Sequence, residues 1–274
     1  MRRWSGTIAV AVLGMVMTSS AHADQPVLLH AAGSLRGALT EVATAFNAET
    51  GIKVEAKYGP SGTLRDEIAA DSRAQVFASA NMEHPQSLAA AGKGSPVVLF
   101  ARNRLCALVR PGLSVTAETL LATMLREDVK VGTSTPKADP SGDYAFEVFA
   151  KADALKGGSR KILEQKAQQL TGGPSSAAGP AGRSVYGWHV AEGRADVFLT
   201  YCTNALTAQR ENAGQQIVTL PELLAVGADY GLTVMNDSPA AAYRFALFIL
   251  SSKGQQILAK HGFSAPFMPQ GEQR

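Results

Sequence analysis

The run Ala31-Ala32-Gly33-Ser34-Leu35-Arg36-Gly37-Ala38-Leu39 decides the fold. Before it, Val27 to Leu29 is a short apolar run of strand character. After it, Leu35, Leu39, Val42 and Phe46 recur at spacings of four, three and four, the stripe of a helix with one buried face. A strand that turns directly into a helix is the opening of a βα unit. Gly33 brings backbone freedom to the turn, and Ser34 is a preferred N-cap whose hydroxyl can satisfy an orphan N–H. Such a start favours negative charge, because free amides and the helix dipole act together there. The same lettering returns at Pro60-Ser61-Gly62-Thr63 and Pro140-Ser141-Gly142-Asp143. The expectation is that three helix starts converge on one small anion.

Working outward, Gly51 ends the first helix, Ile52–Lys57 alternates as a second strand, and Thr63–Ala70 is a short helix. Gln75–Ala80 reads as a third strand and Gln86–Ala91 as a helix stopped by Gly92. Strand and helix alternating in this order imply right-handed crossovers and a parallel sheet. Pro96–Ala101 and Leu105–Val109 read as two strands with Asn103 in a turn between them. Beyond Pro111-Gly112 the pattern restarts: helix Ala117–Leu125, strand Lys130–Thr133, then helices Tyr144–Ala154 and Lys161–Leu170. Gly172 to Gly182 is a loop by composition. Helix Ser184–Gly193, strands Ala195–Tyr201, Gln216–Leu220 and Tyr230–Met235, and one long helix Ala240–His261 complete the chain.

Two βα units interrupted near residues 105–115, with the first sheet resumed near residue 230, predict an α/β protein of two lobes. The expected division is 24–105 plus 233–268 for lobe 1 and 106–232 for lobe 2, with a tail at 269–274. The chain crosses twice, so a hinge and a cleft follow, with ligand at the carboxyl ends of the strands.

The 274 residues, 46% apolar, suffice for proper cores. Met1 to Ala23 has the form of a secretory signal: Arg2 and Arg3, an apolar run from Ile8 to Met17, and Ala21-His22-Ala23 as a cleavage site. Without those two arginines the balance is 24 Lys+Arg against 23 Asp+Glu, a formal charge of +1, and no basic run exceeds two residues. The basic pI of the sequence therefore says little about nucleic acid, and no nucleic-acid partner is expected. Cys106 and Cys202, in an oxidising compartment, either pair or remain two buried thiols. No Cys/His cluster has zinc spacing. No G-x-S-x-G elbow is present, and the five histidines lie in no recognisable triad context.

The stretches Ala31-Ala32-Gly33-Ser34-Leu35, Ser61-Gly62-Thr63-Leu64 and Gln75-Val76-Phe77-Ala78-Ser79-Ala80-Asn81, followed by Asp139-Pro140-Ser141-Gly142 and Val197–Tyr201, resemble the periplasmic molybdate-binding proteins. These are the solute-binding components of molybdate ABC transporters, and the likeness runs to His261-Gly262-Phe263. It implies the type II periplasmic binding protein fold with its ligand cleft between lobes, a periplasmic monomer without cofactor or metal, and an ABC permease as partner. It also implies a tetrahedral oxyanion, molybdate or tungstate, held by hydroxyls and amides without a neutralising arginine. Carried over by position, Ser34 and Ser61 match the two serines, Ser141 the residue that gives its amide, and Tyr201 a tyrosine whose hydroxyl reaches the ligand. A fifth position falls at Arg183 or Ser184. Two residues depart from the pattern: Arg183 brings a full positive charge, and Asp143 sets a carboxylate beside a dianion. The rival readings are a binder of another small anion such as sulfate, and a periplasmic hydrolase or lyase.

Overall fold

Burial and backbone pairing explain why the alternating and striped segments become the elements they do. The structure, a computed structural model, describes Met1 and residues 25–71 and 73–267. The signal segment at 2–23 and the 269–274 tail therefore lie outside the described residues. Strand β1 (Val27–Ala32) is followed by helix α1 (Arg36–Thr50), whose Leu39, Val42 and Phe46 are buried and whose end is set by Gly51 at φ 75°. Strand β2 (Val54–Gly59), helix α2 (Ser61–Ala69), strand β3 (Val76–Ser79) and helix α3 (Glu83–Ala90) follow. Strands β1, β2 and β3 pair in parallel, with β1 between the other two.

Strand β4 (Val98–Val109) runs through Asn103 unbroken, where two strands and a turn were expected. Asn103 is buried, and its Nδ2 donates to Thr203 Oγ1 at 2.8 Å and to the Tyr230 phenol at 3.3 Å. A polar side chain satisfied internally has no need to turn the chain out to water.

The second half holds α4 (Leu120–Leu125), β5 (Val131–Ser134), α5 (Pro140–Leu155), α6 (Ser159–Lys166), β6 (Gln168–Thr171), α7 (Val185–Ala191), β7 (Val197–Tyr201), α8 (Cys202–Glu211) and β8 (Gln216–Thr219). The expected helix over Lys161–Leu170 ends early, because Gln168–Thr171 pairs with β5 as an edge strand. Helix α8 is an addition to the sequence reading. Strand β9 (Gly227–Val234) returns antiparallel to β3. The long terminal helix is two, α9 (Ala240–Leu250) and α10 (Ser252–Lys260), broken where Ser251 turns extended and accepts from Gly254 N. A Cβ at Gly254 would lie 2.3 Å from Phe248 O, so the tight junction requires glycine there.

The sheet order is β2-β1-β3-β9-β4-β7-β5-β6, with β8 also on β4. One strand serves both halves: residues 98–104 of β4 pair with β9, and residues 105–109 pair with β7 and β8. This is the two-lobed α/β architecture, with a cleft where the strand ends of both halves face. Cys106 and Cys202 form a disulfide with a Cα separation of 4.9 Å, which resolves the open alternative and ties β4 to the start of α8.

Candidate functional site

Each of the three repeated helix starts is built differently from the capping the sequence suggests. At the first, the chain leaves β1 through a 3-10 turn over Gly33–Leu35, capped by Ala32. Ser34 lies inside the turn, so its hydroxyl reaches β9 and shares a 3.0 Å hydrogen bond with the Tyr230 phenol. At the second, Pro60 is the cap and Ser61 the first helical residue. Ser61 is buried, and its Oγ accepts from Ala80 N at 3.1 Å. At the third, Asp139 is the cap: its Oδ1 accepts from Ser141 N at 3.1 Å, and Pro140 follows at the position where a missing N–H costs nothing. Asp143 turns back to its own loop, accepting from Lys137 N at 2.8 Å.

The three starts meet at one cavity of about 170 Å³. Gly33 and Ser34 line it from the first, Pro60 and Ser61 from the second, and Asp139 from the third. Tyr201 at the end of β7, Tyr186 on α7 and Thr171-Gly172 after β6 close it. Drug-sized ligands occupy roughly 300–1,000 Å³, so the space suits a guest of a few heavy atoms. Ser34 and Ser61 stand in first turns, where backbone N–H groups lack helical acceptors. Ser141 does not line the cavity, and its amide is occupied by Asp139. The halves touch at its edge, through Gly62 N donating to Ala138 O at 3.0 Å and Tyr201 OH to Ala80 O at 3.4 Å.

A wider groove of about 830 Å³ shares Gly33, Ser34, Arg36, Val185 and Tyr186 with the cavity and forms its mouth. Arg183 belongs to this groove and not to the cavity. Its Nε donates to Glu211 Oε2 at 3.1 Å, and Glu211 also accepts from Ser184 N. The full charge expected near the ligand is thus matched by a carboxylate at the mouth. Ser184 caps α7 by accepting from Gly187 N. The cation that does line the cavity is Arg36, exposed, with its guanidinium 4.7 Å from the Tyr58 ring centroid.

Burial raises the Tyr201, Tyr186 and Tyr230 phenols well above their ordinary range, so all three are hydrogen-bond donors at any physiological pH. Burial also pushes the Asp139 carboxyl up to about 6, against the opposing hydrogen bonds from Ser141 and Ser134. Asp139 was missed in the sequence, although Asp before Pro at a helix start is a cap signature. Tyr186 and Gly172 carry no such signal. Gly172 has φ 80°, and a Cβ there would lie 2.6 Å from Asp139 Cβ. Among the described residues no group of three or more His, Cys, Asp or Glu is placed to hold a metal.

Residues 27–264 match the family model described as bacterial extracellular solute-binding protein. An uncharacterized protein of Pasteurella multocida is 33% identical over 235 residues, 85% of this chain and 96% of that one. The molybdate-binding protein ModA of Escherichia coli is 28% identical over 162 residues, 56% of this chain and 62% of its own length. Among solved structures, the periplasmic molybdate-binding protein of Azotobacter vinelandii superposes with a TM-score of 0.70 at 19% identity, covering 88% of this chain and 99% of that one. The sulfate-binding protein SubI of Mycobacterium tuberculosis gives 0.71 at 21%, covering 88% and 87%. With the two-lobed sheet and the cavity at its strand ends, these matches place the chain in the bacterial extracellular solute-binding protein family.

Proposed function

We propose that this protein captures molybdate, or its analogue tungstate, in the periplasm and delivers it to an ABC permease. The observation that carries the reading is the convergence of three helix starts on one cavity of about 170 Å³. First-turn amides and the Ser34, Ser61 and Tyr201 hydroxyls replace the water shell of a small oxyanion there. The Tyr201 contact to Ala80 O, at 3.4 Å, is long for an O–H···O bond, which leaves its hydrogen free to turn to a guest. The hydrogen-bond partners of Ser34 and Ser61 are a phenol and a backbone amide, not an imidazole, which favours binding over serine chemistry. The two lobes hinge where the chain crosses between them, within β4 and at the entry to β9, and contacts from both favour the closed form. The family relationship supports solute capture, and the molybdate-binding relative supports the ligand class.

The test is calorimetric titration with molybdate, tungstate and sulfate. Molybdate and tungstate are expected to bind at sub-micromolar concentration, and Ser34→Ala and Ser61→Ala each to weaken capture about tenfold or more, roughly 1.4 kcal/mol. Heat with sulfate and none with molybdate would reject the ligand, and unchanged affinity in both variants would remove the serines from the site.

A further inference from the structure

The cavity wall contains an acidic group where an anion is to sit. Asp139 lines the same space as Ser34, Ser61 and Tyr201. It is fixed from two sides. Its Oδ1 accepts from Ser141 N at 3.1 Å, and the backbone of Gly172 lies so close that a Cβ there would stand 2.6 Å from Asp139 Cβ and 2.9 Å from Oδ2. The carboxyl therefore has little room to turn away when a guest enters.

The groups that face it supply no neutralising partner. On its own helix α5, Asp143 is a second carboxylate. Helix α7 contributes Tyr186 and β7 Tyr201, both raised by burial and neutral, and β5 contributes the Ser134 hydroxyl, which donates a hydrogen bond to the carboxyl. Lys137 precedes the helix, and its backbone N–H serves Asp143. Arg36 stands at the rim over the Tyr58 ring. Among the described residues no lysine, arginine or histidine forms an ion pair with Asp139.

We propose that the Asp139 carboxyl is itself a ligand group of the cavity and holds a proton whenever a fully deprotonated oxyanion is bound, so that capture takes up one proton from solution. The inference rests on the oxyanion reading above. In the complex Oδ1 keeps its bond from Ser141 N, and the protonated oxygen donates to the guest. Burial, which already raises this carboxyl to about 6, and the negative charge of the guest act in the same direction. An oxyanion that brings its own proton, such as hydrogenphosphate, needs no uptake.

The experiment is calorimetry on the mature protein with sodium molybdate between about pH 6.5 and about pH 8.5, in pairs of buffers of different ionisation enthalpy. Expected is an uptake approaching one proton per molybdate at the upper end, with affinity falling about tenfold per pH unit there. Asp139→Asn, which keeps the capping oxygen and is neutral at every pH, is expected to bind with no uptake and no pH slope. Molybdate binding by the wild type with no proton uptake would overturn the inference while leaving the oxyanion reading standing. No heat with molybdate, tungstate, sulfate or phosphate at either end of the range would overturn both.

Discussion

Replacing Gly62 by alanine sets ligand capture against fold stability. Gly62 is the second residue of α2, and its N–H donates across the cleft to Ala138 O at 3.0 Å. A Cβ there would lie 2.2 Å from Lys137 O and 2.9 Å from Ala138 O, both backbone atoms that no rotamer change can move. Non-bonded carbon is comfortable at about 3.5 Å, so the loop must recede by roughly 1 Å for the halves to meet. The hydrogen bond lost with that movement is worth about 0.5–1.5 kcal/mol, and loop strain adds a comparable amount. Closure is then disfavoured by about 1–3 kcal/mol, which weakens molybdate capture by roughly fivefold to 150-fold. With the lobes apart none of this applies. Alanine is instead the better helix former by up to about 1 kcal/mol, so the ligand-free melting temperature is expected to stay level or rise by about 2–4 °C. Calorimetric titration, thermal melts and small-angle scattering read the three effects separately. Parent-like affinity together with parent-like scattering would refute the claim that Gly62 is where the lobes seat.

The remaining predictions concern stability. Asp139 has its folded-state pKa raised to about 6 from 3.8, so its ionised form is disfavoured in the fold above about pH 6, and that penalty disappears below about pH 4. About two pH units at roughly 1.4 kcal/mol each is a ceiling near 3 kcal/mol, and water in the cavity reduces it, so Asp139→Asn is expected to stabilise the ligand-free protein by about 1–2 kcal/mol at neutral pH. Urea unfolding at several pH values checks this, and an equal gain at pH 4 would contradict it. The Cys106–Cys202 disulfide spans 96 residues, and its removal by Cys106→Ser with Cys202→Ser is expected to cost about 2–4 kcal/mol by denaturant titration. A reducing agent should leave that double variant unaffected while lowering the parent towards it.

What the sequence discloses and what it withholds follow from the range of the forces involved. The α1 stripe of Leu39, Val42 and Phe46 and the left-handed stop at Gly51 are local, so the first βα unit is legible within a few turns of chain. Strand β4 is not, because the partners that keep Asn103 inside it are Thr203 and Tyr230, at least a hundred residues away. Strand β6 is likewise an edge strand made by its pairing with β5, and nothing in Gln168-Gln169-Leu170-Thr171 forbids a helix. The site divides in the same way. Three Ser-led helix starts at strand ends locate the cavity, since that grammar is local. The bonds each serine makes are tertiary: Ser34 to β9, Ser61 to the amide after β3, and Ser141 through its backbone to Asp139.

The choice between two carboxylates is the sharpest case. Asp143 stands a full turn into α5 and folds back onto Lys137 N, whereas Asp139 is the cap. A cap side chain must point at the free amides of its helix, and those amides are the very groups that make a helix start attractive to an anion. A carboxylate in the cap position therefore sets a negative charge beside the guest unless it is neutral. The same geometry that locates the cavity thus makes the charge state of Asp139 the variable on which its affinity for a dianion turns.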